Sequence, residues 1–428
     1  MSCSGTADLD KGAGQFPIHA VRKLFPALNA HDDFVFFDNA AGAQVPQTAL
    51  DAVNKHLLLN NVQRGGRYGK STEVDAMIAR ARETTAILVN ARQPSEIAFG
   101  MNATSFIRMM SLALGQTLTR RNEIILTDLD HEANIATWLM LARDGAKFLW
   151  WKVRDDGNLH TEDLKTLLSA RTRLLACTVA SNALGSIVDI EQAATLVHGV
   201  GAEIFLDCVH FGPHGVIDVQ AWDCDYLVCS GYKIFAPHMG FLWGRHELLK
   251  ALPTFREDFI PDEPPEKLEA GTFIYENVAG FDAAVRYLEV LAPSVSGDTP
   301  TSVAERRRNL VTSMQALLDY ERSLSQELIH RLIEVGAIIY GIRDIELWRQ
   351  RVPTVLFNVG SKDPSEVTAS IARAGIGVRD GHMYAPRLMG RLGLDPKRGA
   401  VRASLVHYNT VEEIERFADV LSALNGHS

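Results

Sequence analysis

The sequence predicts an α/β fold with a large domain followed by a smaller one. Two observations support this. From about residue 34, short runs of β-branched and aromatic residues alternate with longer amphipathic stretches, and this alternation is typical of a largely parallel sheet covered by helices on both faces. The chain also has 428 residues, 46% of them hydrophobic and 22% charged, which is enough material for one large core or two domains.

The first half of the chain supplies the elements of the predicted sheet. Apolar runs bounded by polar or turn residues are predicted to be buried strands, and stretches with helical periodicity are predicted to be helices. The predicted strands are FVFFDNA (34–40), SEIAFGM (95–101), NEIILTD (122–128), KFLWWKV (147–153), RLLACTVA (173–180), AEIFLDC (202–208) and DYLVCSG (225–231). The predicted helices are 46–59, 74–89, 161–170 and 190–200.

The second half begins with a proline-rich and acidic loop at 256–273. A long helical stretch at 302–337 follows, and then a smaller mixture of strands and helices that starts at TVLFNVG. We therefore predict an N-terminal arm over residues 1–30, a large domain over 31–295 and a small C-terminal domain over 296–428.

Charge and cysteine content exclude several classes of protein. A formal net charge of −9 argues against a general nucleic-acid or membrane-surface binder. The N-terminal segment resembles a flexible leader and lacks the apolar core of a secretory signal. Five cysteines without CxxC spacing, namely Cys3, Cys177, Cys208, Cys224 and Cys229, indicate a reducing cytoplasm and neither a disulfide framework nor a metal centre.

Candidate functional residues follow the predicted strands, because ligands of parallel α/β sheets bind at the carboxyl ends of the strands. Two neighbouring strand ends would bring a carboxylate, Asp207, and an amine, Lys233, to one crevice. The other residues in such positions are His131, Asn182, His210, Ser230 and Tyr232.

Lys233 and Asp207 form the kind of pair that pyridoxal 5′-phosphate chemistry requires. A partly desolvated lysine loses its charge readily and forms a Schiff base with an aldehyde. A carboxylate beside the pyridine nitrogen keeps that nitrogen protonated. Taken singly, a strand-end aspartate is more often a cap or turn residue, and a lone histidine is more often structural. The order and placement of the set favour the cofactor.

Ten stretches of the sequence occur in a characteristic order. They are FFDNAAGAQVP, NVQRGGRYG, FGMNATS, DHEANIATW, SNALGSI, IFLDCVHFGPH, CSGYKIFAPHMGFLWG, EAGTF, GVRDGHMYAP and VRASLVHYNT. This ordered series resembles a known family, the class V aminotransferase-like branch of fold type I pyridoxal-phosphate enzymes, which includes cysteine desulfurases and selenocysteine lyases. The resemblance covers about residues 34–420 and implies a mostly parallel seven-stranded sheet flanked by helices.

The resemblance implies a role for each candidate residue. Lys233 would hold the cofactor covalently, Asp207 would pair with the pyridine nitrogen, and His131 would stack on the ring. His210 and Asn182 would lie near the phenolic oxygen. The phosphate would be bound by the helix start at Asn102 and Ala103, by Ser230, and by Tyr232, which replaces a histidine found in many relatives.

The remaining implied contacts involve the substrate and a second subunit. Arg402 matches the arginine that binds the substrate α-carboxylate, and a guanidinium suits that role because it binds a carboxylate through two hydrogen bonds. Arg379 is a second candidate, and Arg64 could bind another anionic group or belong to a solvated loop with Arg67 and Tyr68. Gly271 and Thr272 match a loop that reaches the phosphate of the neighbouring subunit, which implies a homodimer with shared active sites.

One position departs from the family pattern. Desulfurases carry a cysteine that accepts sulfur a few residues after the position of Arg379, where this chain has Tyr384, and no cysteine follows Cys229. A phenol cannot carry a persulfide, so we predict β-elimination of a cysteine-derived substrate without sulfur relay. An aminotransferase or epimerase acting on another amino acid is the alternative, with Tyr384 and His382 as acid/base or pocket residues. An inactive cofactor-binding scaffold is the third.

Overall fold

The computed structural model describes residues 16–30, 33–292, 294–295, 300 and 302–426. The predicted flexible leader and Cys3 lie outside these residues. The strands are β1 (Val35–Phe36), β2 (Ile97–Gly100), β3 (Glu123–Thr127), β4 (Lys147–Trp151), β5 (Thr172–Thr178), β6 (Glu203–Asp207), β7 (Tyr226–Ser230), β8 (Gly240–Gly244), β9 (Ala337–Tyr340), β10 (Thr354–Val359), β11 (Ile376–Gly377), β12 (Arg379–Gly381) and β13 (Ala400–Ser404).

The helices begin in the segment predicted to be an N-terminal arm and continue to the end of the described chain. They are α1 (Ile18–Lys23), α2 (Pro26–Asn29), α3 (Gln47–Leu59), α4 (Gly69–Val89), α5 (Ala103–Gly115), α6 (Ala133–Leu139), α7 (Thr161–Leu167), α8 (Ile190–Gly199), α9 (His246–Ala251), α10 (Tyr275–Leu288), α11 (Val303–Glu334), α12 (Pro364–Arg373), α13 (Pro386–Arg391) and α14 (Val411–Asn425).

The large sheet has seven strands in the order β2-β8-β7-β6-β5-β3-β4. Strand β8 is antiparallel to both of its neighbours, and the pairings from β7 to β4 are parallel. This confirms the predicted mostly parallel sheet of seven strands. The central strands β3, β6 and β7 are buried almost throughout, as expected for a sheet covered on both faces, whereas the edge strand β4 is mostly half-buried.

One predicted strand lies elsewhere. The run at 34–40 was expected among the buried strands, but it forms only the two-residue strand β1, which pairs with β11 and not with the large sheet. The seventh strand of the large sheet is β8, from the run GFLWG that immediately follows the lysine turn. A hydrophobic run in the sequence predicts burial, but it does not determine which sheet edge is available to it.

The second sheet has the order β12-β13-β10-β9 and is antiparallel. Its core includes Phe37 from the beginning of the chain together with Leu324, Phe357 and Phe417. The two sheets lie on either side of the predicted boundary near residue 295, and the assignment of domains stays a prediction.

Helix α11 connects the two regions and was predicted at 302–337. Ser302 is the N-cap of this helix, and its side chain accepts a hydrogen bond from the backbone N–H of Glu305. Such an N-cap satisfies a backbone donor that has no partner within the helix. Leu310, Leu317 and Leu324, which are seven residues apart, are fully buried, so one face of the helix packs against the core.

The cysteines and the helices of the described residues bear on what the sequence predicts. Cys177, Cys208, Cys224 and Cys229 are buried free thiols, which is the usual state of a small apolar cysteine in a core. None of the helices that the structure describes combines the length and apolar character needed to cross a membrane.

Candidate active site

The carboxyl ends of β5, β6 and β7 open onto a cavity of about 340 Å³. Strand β6 pairs with β7 in parallel, with Asp207 opposite Val228, so Asp207 and Lys233 face one crevice as the sequence predicted. The cavity is lined by Met101, Asn102, Ala103, Thr104, Ile107, His131, Ala133, Thr178, Asn182, Asp207, Val209, His210, Ser230, Tyr232, Lys233, His238 and Ile274.

Lys233 ends a short 3₁₀ turn that directly follows β7. The residue is only 6% exposed, and burial together with the positive charge of Arg402 lowers the pKa of its ammonium to about 8, although Asp207 opposes the shift. Gly231 begins the turn because a Cβ there would lie 2.9 Å from the carbonyl oxygen of Pro237. A lysine with this pKa has a far larger neutral fraction near pH 7 than a free lysine.

Asp207 is the last residue of β6 and is also only 6% exposed. Burial raises the pKa of its carboxyl, whereas the N–H of Val209 at 3.0 Å and the charge of Lys233 lower it. A buried carboxylate is stabilised by a cationic partner. A protonated pyridine nitrogen would be such a partner.

His131 also lines the cavity and lies just before α6. Burial lowers the pKa of its imidazole to about 4, with smaller contributions from Lys233 and Arg402. Its Nδ1 accepts a hydrogen bond from the backbone N–H of Ala133 at 3.1 Å, which orients the ring. A neutral, oriented imidazole suits stacking on an aromatic ring.

Two buried polar atoms at the cavity have no hydrogen-bond partner among the residues that the structure describes. They are Nδ1 of His210 and Oδ1 of Asn182. The remaining polar groups of these side chains are engaged, since His210 Nε2 lies 3.1 Å from Thr354 Oγ1 and Asn182 Nδ2 donates to the carbonyl oxygen of Met383 at 2.7 Å. Buried unpaired polar atoms are uncommon in folded proteins, so these two fit a polar ligand group such as a phenolic oxygen.

The start of α5 forms the end of the cavity at which phosphate binding was predicted. Asn102 caps the helix by accepting from the N–H of Ser105 at 2.9 Å, and the N–H of Ala103 donates to Ser230 Oγ at 3.0 Å. Gly240 of β8 is required here because a Cβ would lie 2.6 Å from Asn102 Cα. A helix N-terminus favours an anion.

Tyr232 also lines the cavity, and its ring stacks on His238 with centroids 5.3 Å apart. Burial raises the pKa of its phenol to about 12. The hydroxyl therefore stays protonated at neutral pH and can donate a hydrogen bond. The residues that line this cavity thus fit pyridoxal phosphate, because they supply a lysine for its aldehyde, a carboxylate for its ring nitrogen and a helix N-terminus for its phosphate.

Arg402 and Arg379 are cross-strand partners on β13 and β12. Both bind Asp38: Arg402 Nη2 lies 3.0 Å from Oδ1, and Arg379 Nη2 lies 2.7 Å from Oδ2. Arg402 is only 2% exposed and lies behind the cavity lining, where its Nη1 donates to the carbonyl oxygen of Asn182 at 2.8 Å. Both arginines therefore adjoin the site without lining the cavity.

Tyr384 and His382 do not line the cavity, but Tyr384 contacts His131, which does, and His382 lies next to Tyr384. Tyr384 is 56% exposed, and its ring centroid is 5.5 Å from that of His131. The loop is ordered by hydrogen bonds: the N–H of Tyr384 donates to His382 Nδ1 at 3.0 Å, and the carbonyl oxygen of Tyr384 accepts from the N–H of Glu132 at 2.8 Å. Met383 and Tyr384 both have positive φ angles, 52° and 57°, an unfavourable backbone region that these bonds maintain.

Three predicted residues do not line the cavity in this chain. Arg64 forms ion pairs with Asp75 at 3.4 Å and with Glu269 at 3.9 Å. Thr272 accepts a hydrogen bond from Gln63 Nε2 at 2.6 Å, and Gly271 is exposed with φ of 60°. Their contact with a substrate or a second subunit stays a prediction.

Sequence reasoning missed several residues of the site. Thr178 is the last residue of β5 and lines the cavity, but the predicted run continues to Ala180, so a search for residues that follow each run passes over it. Thr104 follows Ala103 in the helix start, and His238 stacks on Tyr232. Asp38 ends the run FVFFD, yet its contacts with two arginines near the C-terminus depend entirely on the tertiary fold.

Known proteins are similar to this chain over most of its length. The family model described as Aminotransferase class-V matches residues 35–298 and 309–417. Aminotransferase-like protein FGM3 of Gibberella zeae is 36% identical over 416 residues, which cover 94% of this chain and 97% of that protein. A probable cysteine desulfurase of Synechocystis sp. is 33% identical over 424 residues, covering 94% of each.

A solved structure has the same architecture. A cysteine desulfurase from Thermococcus onnurineus NA1, in its apo form, superposes with a TM-score of 0.85 at 26% identity, covering 97% of this chain and all of that one. The similarity therefore includes both sheets and the elements around the cavity.

Proposed function

Because this chain belongs to the class V aminotransferase family, whose cofactor is pyridoxal 5′-phosphate, we propose that it is a lyase that cleaves the Cβ–S bond of a cysteine-derived amino acid. Membership of the family makes it a pyridoxal-phosphate-dependent enzyme. Cleavage of a carbon–sulfur bond without transfer of sulfur to the protein is the proposed part. The overall change would convert an S-substituted cysteine and water into a thiol, pyruvate and ammonia.

The observation that supports this proposal is the identity of residue 384, which is a tyrosine. Tyr384 stands where the resembled desulfurases carry their sulfur-accepting cysteine. The thiols in the described part of the chain, Cys177, Cys208, Cys224 and Cys229, are all buried. Sulfur released at this site would therefore leave with the thiol product.

The proposed roles of the chain's own groups follow from their environment. Bound pyridoxal phosphate would supply an acceptor for the electrons left at Cα when its proton is removed. Lys233, with its lowered pKa, would accept that Cα proton as the general base. Asp207 would stabilise positive charge on the cofactor nitrogen, and His131 would restrict the ring to one plane. The hydroxyl groups of Ser230 and Tyr232 would bind the phosphate.

Pyruvate formation tests the lyase proposal directly. We expect holoenzyme incubated with S-methylcysteine, S-benzylcysteine or their sulfoxides to release pyruvate, with the thioethers giving an equal amount of thiol. Peptide mass analysis should detect no sulfur added to the protein. Absence of pyruvate from all of these substrates would refute the proposal. Deuterium entering Cα from solvent without elimination would then identify an epimerase, and conversion of the cofactor to its amine form would identify an aminotransferase.

Tyr384→Phe separates a chemical role of the phenol from a steric one. The hydroxyl has no hydrogen-bond partner among the described residues, whereas the ring contacts His131. We therefore expect Tyr384→Phe to change kcat less than about threefold and Tyr384→Ala to change it more, because loss of the ring opens the side of the site next to His131. A large loss of kcat in the phenylalanine variant would instead assign proton transfer to the hydroxyl.

Arg402→Lys tests the carboxylate contact. A lysine keeps the charge but cannot form two parallel hydrogen bonds, so we expect KM for the amino acid to rise about tenfold to a hundredfold while the absorbance of the bound cofactor is retained. Arg351→Lys is the matched control, because Arg351 is also buried and donates to the backbone carbonyl of Thr354 at 2.7 Å. Equal changes in KM for both variants would contradict a specific role of Arg402.

A further inference from the structure

Asp38 binds two arginines at once. Its carboxylate accepts hydrogen bonds from Arg379 Nε at 3.0 Å and Arg379 Nη2 at 2.7 Å, and from Arg402 Nη2 at 3.0 Å. Because Arg379 and Arg402 are paired across β12 and β13, their guanidinium groups are held on the same face of the small sheet. Asp38 thus bridges two neighbouring cations.

This trio carries one net positive charge. Two guanidinium groups contribute two positive charges, and Asp38 removes one. Asp380 is the next residue after Arg379 in β12, and it projects from the other face of that strand because side chains alternate. Lys233 and Asp207, the charged pair of the cavity wall, offset each other. The trio is therefore ready to accept a single negative charge.

One nitrogen of the Arg402 guanidinium, Nε, has no hydrogen-bond partner among the described residues. Its Nη1 donates to the carbonyl oxygen of Asn182 and its Nη2 donates to Asp38, but its Nε is buried without a hydrogen-bond partner among the residues that the structure describes. A buried unpaired donor is unfavourable unless a ligand satisfies it. The unpaired Nε is therefore an independent observation that points to an anionic ligand at this arginine.

We propose that Asp38 is a specificity-determining residue, an internal counter-charge that restricts the arginine pair to substrates with one negative charge. This inference rests on the proposed function, in which Arg402 binds the α-carboxylate. It narrows the substrate class to amino acids whose only anionic group is that carboxylate. For a lyase of cysteine conjugates, the group on sulfur would accordingly be neutral.

Anion selectivity of the holoenzyme tests the inference. Acetate and malonate serve as probes with one and two charges, and their dissociation constants are measured by competition against L-alanine, whose binding changes the absorbance of the bound cofactor. We expect the unmodified enzyme to bind acetate at least as tightly as malonate. Asp38→Asn removes the internal charge with little change in shape. The ratio of the malonate dissociation constant to the acetate dissociation constant should therefore fall by about tenfold or more.

Three variants distinguish charge from structure. Asn39→Ala is the control, because Asn39 is buried in the same segment and bonds the carbonyl oxygen of Ser404 at 2.8 Å without touching either arginine; it should keep the original ratio. Asp38→Glu keeps the charge and should also keep the ratio. Arg379→Gln lowers the charge of the trio to zero, so it should weaken the binding of malonate more than the binding of acetate. This result can be obtained even if Asp38→Asn fails to fold.

The outcomes separate this inference from the proposed function. An unchanged ratio in Asp38→Asn, or equal weakening of both anions in Arg379→Gln, would overturn the role of Asp38. If Arg402→Lys still loses affinity for L-alanine in that case, the carboxylate contact survives. If Arg402→Lys binds L-alanine as the unmodified enzyme does, the carboxylate contact itself is wrong and the inference fails with it.

Discussion

Lys233→Ala is expected to lower the rate at least about a thousandfold and to abolish covalent attachment of the cofactor. The substitution removes both the amine that would bind the cofactor aldehyde and the base that would accept the Cα proton. The measurement is the absorbance of the bound cofactor, followed by borohydride reduction and mass analysis of the peptide that contains Lys233.

Lys267→Ala is the matched control for this prediction. Lys267 is another buried lysine, but it lies away from the cavity and forms an ion pair with Asp262 at 2.8 Å. This variant should retain the absorbance of the cofactor and the borohydride-stable label on Lys233. A Lys233→Ala enzyme that keeps more than about a tenth of the rate, or a label found on another lysine, would show that the cofactor lysine has been misassigned.

Asp207→Asn is expected to cost about a hundredfold to a thousandfold in kcat, the range found when one oriented electrostatic partner of a reaction is removed. Asparagine has nearly the same shape, so the hydrogen bond from the N–H of Val209 should persist, but the negative charge beside the cofactor nitrogen is lost. Covalent attachment to Lys233 should remain. The variant therefore separates cofactor binding from the rate, measured as kcat at full cofactor occupancy.

Asp130→Asn is the control for the loss of a buried carboxyl group. Burial raises the pKa of Asp130 to about 7, and its Oδ1 accepts a hydrogen bond from Asn134 Nδ2 at 2.7 Å. Asp130 does not line the cavity. Because asparagine resembles the protonated carboxyl group, we expect a change in kcat of less than about threefold. Similar losses of rate in both variants would indicate a general effect of burial and would contradict the role proposed for Asp207.

The residues at the ends of strands show which part of the site the sequence predicted. Asp207 and Lys233 follow apolar runs in the sequence, and parallel strands direct their carboxyl ends to one edge of the sheet, so their meeting followed from pattern alone. The same reasoning overlooked Thr178, which ends β5, because a threonine at a strand end is indistinguishable from an ordinary strand residue. Arg64 was a candidate for binding a second anionic group because it lies in NVQRGGRYG, one of the stretches that resemble the family, and in this chain it pairs with Asp75.

What the sequence by itself determined was the alternating α/β pattern, the family, the cofactor, and the absence of a cysteine after residue 229. These depend on local periodicity and on the order of residues along the chain. Only the tertiary structure decided that β8 and not the run at 34–40 completes the seven-stranded sheet, and that Asp38 bridges Arg379 and Arg402 across more than 340 residues of sequence. Pairings of this kind depend on which edges and charges remain free after the chain has folded, and no local pattern in the sequence records that.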